Sequence, residues 1–222
     1  KSRGNVINPD DVIEEYGADS MRLYEMFMGP LDKSKPWSIK GLQGCARFAE
    51  KIWRIFNDTD KHSEQTDSKE TTRLLHQTIA KVTNDLENMR FNTAISQMMI
   101  FSNHLQGLDT INKETLKTFL LLLNPFIPHI AEELNAQMNA FESLSYTTWP
   151  EFDERLAKED LVTIAIQVNG KLRGNLQLPA ETDDKTIKTE AAKVDGVKKH
   201  LEGKNIVKKV VVPGRLVNFV VK

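Results

Sequence analysis

Two hydrophobic periods divide this 222-residue chain, and they change over at Trp149-Pro150. Before that point apolar side chains recur every three or four residues, the repeat of a helix burying one face; after it they alternate with polar ones, the repeat of a strand. A helix stripe and an alternating strand need different layers to cover them, so the chain is expected to build two units. Asn8-Pro9-Asp10-Asp11 opens a first short helix with a cap and a first-turn proline, ended by Gly17. Asp19 is expected to cap a second helix carrying Met21, Leu23, Tyr24, Phe27 and Met28. From Ser38, Leu42, Cys45, Ala46, Ala49, Ile52, Trp53 and Phe56 form the face of a long amphipathic helix, with Trp53 and Phe56 expected in the core. Residues 57–72 lack a large apolar side chain and read as a loop. Further helices are predicted from Leu74 to Leu86, from an Asn92 cap through Leu105, over Leu116 to Leu123, and from Ile130 to Met138 behind Pro128. Helices of this length on mostly short links make an antiparallel bundle.

Val162, Ile164, Ile166 and Val168 alternate with Thr163, Ala165 and Gln167, and Leu172, Leu176 and Leu178 alternate after Asn169-Gly170, which predicts a hairpin. A three-residue loop, Val168 to Gly170, is preferred because it sets Ile166 opposite Leu172 and Val162 opposite Leu176, with Lys171 and Arg173 on the other face. One helix over 183–201 and strands over 206–212 and 216–221 complete a ββαββ unit. The expected fold class is therefore mainly α with a C-terminal α+β domain. Residues 1–37 form a short helical piece at the start, 38–140 an antiparallel helix bundle, 141–160 a linker acting as a hinge, and 161–222 the ββαββ domain.

Charge follows the same division. The net charge of −1 hides 13 Lys and Arg against 8 Asp and Glu from Lys158 onward, which is +5, and 17 against 23 before it, which is −6. The second unit is thus suited to a polyanion. No apolar run approaches the length of a membrane span, no secretory leader is expected, and the single cysteine suits a reducing compartment, so a cytoplasmic, membrane-free protein is expected. His62, His76, His104, His129 and His200 are spaced for no metal site, and His129 is expected to serve structure or capping. Asp10, Asp11, Glu14 and Glu15 suit a helix N-terminus without a metal.

Lys1-Ser2-Arg3-Gly4-Asn5 holds the ingredients of a phosphate loop, backbone N–H groups freed by glycine and nearby cations, which are equally those of a surface loop. Its continuation narrows the choice. The stretch 1–37, KSRGNVINPDDVIEEYGADSMRLYEMFMGPLDKSKPW, resembles the segment of class I aminoacyl-tRNA synthetases that begins inside their KMSKS signature. Met26-Phe27-Met28-Gly29-Pro30-Leu31 with Pro36-Trp37 resembles the bacterial leucine-specific family, leucyl-tRNA synthetase. The resemblance continues through Arg90-Phe91-Asn92-Thr93-Ala94-Ile95 and 125–133. It closes in Gln167-Val168-Asn169-Gly170-Lys171-Leu172-Arg173-Gly174 and 212–218.

The resemblance implies roles residue by residue. Lys1 and Ser2 match the last Lys and Ser of KMSKS, the loop that closes over ATP, so Lys1 is the implied catalytic residue and both are implied ATP contacts. ATP and Mg²⁺ are the implied cofactors of the full-length enzyme, none being expected on this piece, which lacks the nucleotide-binding fold, the leucine pocket and the editing domain. The piece alone is therefore expected to be inactive. The implied partners are tRNA(Leu) and the N-terminal catalytic and editing domains of the same chain, in a monomer. Arg47, Lys51 and Arg54, at spacings of four and three on one helix, either meet tRNA phosphates or form a solvated face. Lys171, Arg173, Lys208, Lys209 and Arg215 are the implied tRNA contacts of the C-terminal domain, at the elbow of the folded RNA. A stand-alone RNA-binding module, a valine or isoleucine synthetase fragment, and a protein scaffold without RNA remain as alternatives.

Overall fold

Asn8 accepts a hydrogen bond from the Asp10 amide at 3.2 Å, and Pro9 follows with φ already helical, so α1 (Pro9–Tyr16) starts where its cap dictates. The computed structural model describes residues 6–158, 161–180 and 182–222, and the chain divides into two units after Ala157. Lys1 and Ser2 lie outside the described residues.

In the first unit α1 is followed by α2 (Ala18–Phe27), α3 (Ile39–Asn57), α4 (Lys69–Glu87), α5 (Phe91–Gln106), α6 (Lys113–Leu123), α7 (Pro128–Met138) and a single turn, α8 (Glu154–Ala157). Ser38 caps α3 by accepting from the Gly41 amide, and Tyr24 fixes the approach, its hydroxyl accepting from the Ser38 amide at 2.6 Å. Leu42, Ile52, Ile79, Met98, Phe101, Phe119 and Leu122 close one continuous core, within which the Phe101 and Phe119 rings meet edge to face at 4.9 Å between centroids. Residues 6–37 share this core through Val12, Leu23 and Tyr24 and do not stand apart from the bundle.

Asp19 does not cap its own helix. Its carboxylate crosses to the start of α7, where Pro128 occupies the first turn and no local side chain caps, and accepts from the Ile130 amide at 2.7 Å and the His129 ring at 2.8 Å. Nor does Asn92 cap α5. The chain turns there at Met89 (φ 56°), and the buried Asp85 carboxylate organises the start of α5: it accepts from the Thr93 hydroxyl at 2.6 Å and from Lys81, and it forms an ion pair with Arg90, whose Nε lies 3.0 Å from Oδ1.

The expected loop over 57–72 holds a single 3₁₀ turn, a two-residue strand β1 (His62–Ser63) paired parallel with β2 (Ile111–Asn112), and the first turn of α4. Asp67 substitutes polar bonds for the missing apolar burial, taking the Asn112 amide and the Thr115 hydroxyl. Residues 141–157, expected to be linker, are likewise folded onto the helices. Asn135 and Glu132 bind the backbone of Phe141 and Leu144, Trp149 donates to Thr83 at 2.8 Å, and His76 and Gln77 bind Asp153 and Ala157. These side chains satisfy backbone groups that regular structure would otherwise pair.

The second unit is a four-stranded sheet in the order β4 (Lys171–Pro179), β3 (Leu161–Val168), β6 (Leu216–Val221), β5 (Ile206–Val212), with β3 and β6 parallel and the outer pairs antiparallel. The expected single helix is two, α9 (Asp184–Lys193) and α10 (Asp195–Leu201), broken at extended Val194. Ile187, Ala191 and Val197 pack on Ile164, Ile166, Val217 and Phe219, so one sheet face is covered by helices. The hairpin differs from expectation. Val168 pairs with Lys171 across a two-residue loop, Asn169 (φ 49°) and Gly170 (φ 76°), and a bulge at Arg173 then brings Ile166 opposite Gly174 and Ile164 opposite Leu176. The bulge puts Leu172 and Leu176 on opposite faces and leaves Leu172 60% exposed. Two glycines explain the preference: a Cβ on Gly174 would lie 3.0 Å from Val194, and one on Gly196 would lie 2.4 Å from the Arg173 carbonyl oxygen. Strand β4 and α10 thus approach backbone to backbone at this point.

Candidate nucleic-acid interface

Arg47, Lys51 and Arg54 stand at i, i+4 and i+7 of α3 and share one stripe, because the opposite side of the helix is committed to the core through Leu42, Cys45, Ile52 and Phe56. Arg47 and Arg54 are exposed and Lys51 is half-buried. The Lys51 ammonium donates to the neutral Asn103 amide oxygen, and Arg54 Nε donates to the Glu50 carbonyl oxygen at 3.4 Å. Among the described residues no carboxylate comes within ion-pair distance of either cation. Partial burial, and the Arg54 charge one turn away, push the Lys51 ammonium below its ordinary pKa.

Two clefts flank this stripe, and Arg54 lines both. The first, about 460 Å³, is mostly apolar, walled by Trp53, Ala46, Ala49, Tyr16 and Ile130, with Glu50 at its rim. The second, about 310 Å³, is lined by Lys51, Lys61, Asp58 and Gln106 over a floor of Ile55 and Leu105. Trp53 therefore does not join the core as expected; it is 38% exposed, because the small Ala46 and Ala49 beside it leave room for the indole in the first cleft, whereas Phe56 is buried. Lys61 was not visible as a site residue in sequence, since it lies in the stretch read as loop.

In the second unit the five basic residues do not form one patch. Lys171 lies at the end of the sheet formed by the Asn169-Gly170 turn, and Lys208 and Lys209 lie toward the same end on the opposite edge strand, about 14 Å away across three strand spacings. Register puts them on different faces: Lys208 pairs with Val220 on the uncovered face, and Lys209 pairs with the buried Phe219, its ammonium 5.9 Å from that ring. Arg173 is the bulge residue, and its Nε is buried without a hydrogen-bond partner. Burial, then the neighbouring Arg173 and Lys204 charges, push His200 of α10 below its ordinary pKa. Arg215 sits at the turn before β6, where its carbonyl oxygen accepts from Ala165, and stands apart from the others. Asn169, not a site residue, ties the turn end together by exchanging two hydrogen bonds with the Val221 backbone.

Among the described residues no cluster of His, Cys, Asp and Glu has metal-binding geometry, and no helix is long and apolar enough to cross a membrane. The arrangement gathers cations along the α3 stripe and scatters them over the sheet unit.

Comparison with known proteins gives concordant matches. The family described as the anticodon-binding domain of tRNA ligase matches residues 68–189, more than half of the chain. The leucine–tRNA ligase of Chlorobaculum tepidum is 49% identical over 226 residues, covering all of this chain and 28% of that protein; that of Chloroherpeton thalassium is 49% identical over 227 residues with the same coverage. The chain thus spans about a quarter of the length of these relatives. The crystal structure of a ternary complex of Agrobacterium radiobacter K84 agnB2 LeuRS with tRNA and LeuAMS superposes with a TM-score of 0.85 at 28% identity, over all of this chain and 31% of that one.

Proposed function

The chain belongs to the anticodon-binding-domain family of tRNA ligases, and from that premise we propose that it is the C-terminal, tRNA-holding part of a leucine–tRNA ligase. One observation carries this reading: the likeness to leucine–tRNA ligases runs unbroken through both units, so the helical unit and the basic sheet unit are retained together. The whole protein joins leucine to tRNA(Leu) with ATP and Mg²⁺ through a leucyl-adenylate, in the cytoplasm, where tRNA is charged. Lys1 and Ser2 contribute the end of the loop over ATP. The 222 residues by themselves do not activate leucine, and the bundle and sheet unit supply the RNA contacts, through Arg47, Lys51 and Arg54 in one and Lys171, Arg173, Lys208, Lys209 and Arg215 in the other.

The test is binding of labelled tRNA(Leu) to the purified chain at about 50 and 200 mM salt. With about four phosphates neutralised, affinity falls about 100-fold over that interval. Arg47→Ala with Arg54→Ala, and separately Lys171→Ala with Lys208→Ala, each weaken binding and flatten the salt slope by about one per contact removed. Salt-independent affinity, or wild-type slopes in both double variants, would overturn the reading.

A further inference from the structure

The two clefts on either side of Arg54 differ in chemistry in the way the two ends of a nucleotide differ. One is apolar and carries a half-exposed indole beside small alanines, with space for a planar ring against it. The other gathers Lys51 and Lys61 with Arg54 around a single carboxylate, Asp58, which stands 3.8 Å from Lys61. Arg54 lines both, and among the described residues its guanidinium makes one hydrogen bond, a long one of 3.4 Å to the Glu50 carbonyl oxygen. The Lys51 ammonium has a neutral partner and feels the Arg54 charge, so an anion arriving in the second cleft relieves a repulsion already present. The 38% exposed indole lines the apolar cleft, and Arg54, the next residue, lines the cationic one as well.

We infer that these clefts form a single-nucleotide site: a base unstacked from the RNA lies against Trp53 in the apolar cleft, and its phosphate sits among Arg54, Lys51 and Lys61. The inference rests on the tRNA-holding role and deepens it, because it adds a stacked base to contacts that otherwise go only to phosphate. Stacking is tolerant of base identity, since every base has a π face, so this site fixes the position of a looped-out nucleotide and does not read sequence. The apolar cleft has the Glu50 carboxylate beside the shared Arg54, whereas the second cleft adds Lys51 and Lys61, which orients the phosphate toward the Lys51 side.

The test uses the 222-residue chain labelled with 5-fluorotryptophan. Its three indoles, Trp37, Trp53 and Trp149, give three fluorine resonances, with Trp53 assigned through Trp53→Phe. Trp149 is tied to Thr83 and Trp37 packs on Tyr24 with centroids 4.8 Å apart, so these two report on folding in the same tube. On adding tRNA(Leu), or AMP at millimolar concentration, the Trp53 resonance moves and the other two stay. Trp53→Ala weakens tRNA binding about tenfold and Trp53→Phe, which keeps a ring, by less. Arg54→Gln reduces the AMP response. If tRNA binds with the expected salt dependence but the Trp53 resonance stays and Trp53→Ala binds as wild type, the nucleotide site is overturned and the tRNA-holding role stands. If tRNA does not bind but AMP moves Trp53, the site stands and the role falls. Silence with both overturns both.

Discussion

Asp85→Ala is the substitution whose cost the structure specifies most fully. The carboxylate has no exposed surface; it accepts from the Thr93 hydroxyl at 2.6 Å and from Lys81, and it is ion-paired with Arg90, whose Nε lies 3.0 Å from Oδ1. A hydrogen bond to a buried charge contributes about 1.5–3 kcal/mol, and the Thr93 bond qualifies in full. The two cations are 44% and 50% exposed and regain water when released, so each is worth nearer 0.5 kcal/mol than the several kcal/mol of a fully buried pair. The total is about 2.5–4 kcal/mol. Urea unfolding followed by tryptophan fluorescence measures it cleanly, because all three tryptophans precede residue 158 and report on the helical unit alone. For a unit of this size the expected loss of melting temperature is about 5–15 °C. The pH dependence adds a second, independent reading. Burial pushes the Asp85 carboxyl up, but the bonds from Lys81 and Thr93 and the charges of Lys81 and Arg90 outweigh it and hold the folded value below the ordinary carboxylate value. Its contribution is therefore complete above the ordinary value near 4 and is lost as pH falls toward and through the lower folded value. The stability gap between wild type and Asp85→Ala should be constant from pH 7 to about 5 and close below it. A gap under about 0.5 kcal/mol at pH 7, or one that persists unchanged at pH 2.5, refutes the assignment of Asp85 as the organiser of α5.

Asp19→Ala strips the start of α7 of its acceptor, leaving the Ile130 amide without its 2.7 Å bond; a loss of about 1–2 kcal/mol is expected, read in the same fluorescence melt, with hydrogen exchange accelerating first at His129 and Ile130. Gly196→Ala places a Cβ 2.4 Å from the Arg173 carbonyl oxygen, so α10 must lift from β4; exchange of the β4 amides should rise by about tenfold or more while the fluorescence melt of the helical unit is unchanged. Cys45 is 1% exposed and burial pushes its thiol up to about 11, so a neutral thiol reagent at pH 8 should leave it unmodified in the native chain and modify it fully in urea; reaction in minutes without denaturant would contradict its burial.

What could be read ahead of the structure was whatever a few neighbouring residues decide among themselves. Asn8 caps the helix that follows it ahead of Pro9, and alternation marks β3, because each signal is complete within a turn or a pleat. Two of the readings that failed share one cause, a decision taken by a partner distant in sequence. Asp19 has the right type and place to cap α2, yet serves α7 across 111 residues, since a proline-started helix with no cap of its own gains more from it. Alternation in the hairpin fits a three-residue loop locally, but Gly174 and Gly196 admit α10 against β4, and that packing selects a two-residue turn with a bulge at Arg173. The same logic governs the candidate site. The cationic stripe of α3 is legible from spacing alone, whereas Trp53 falls at a core position by period and is left 38% exposed at a cleft that Tyr16 of α1, Ser20 of α2 and Ile130 of α7 line without covering the indole. Periodicity reports which side of a helix is apolar; whether a neighbour arrives to cover all of it is settled by the rest of the fold, and the uncovered remainder is where a ligand can enter.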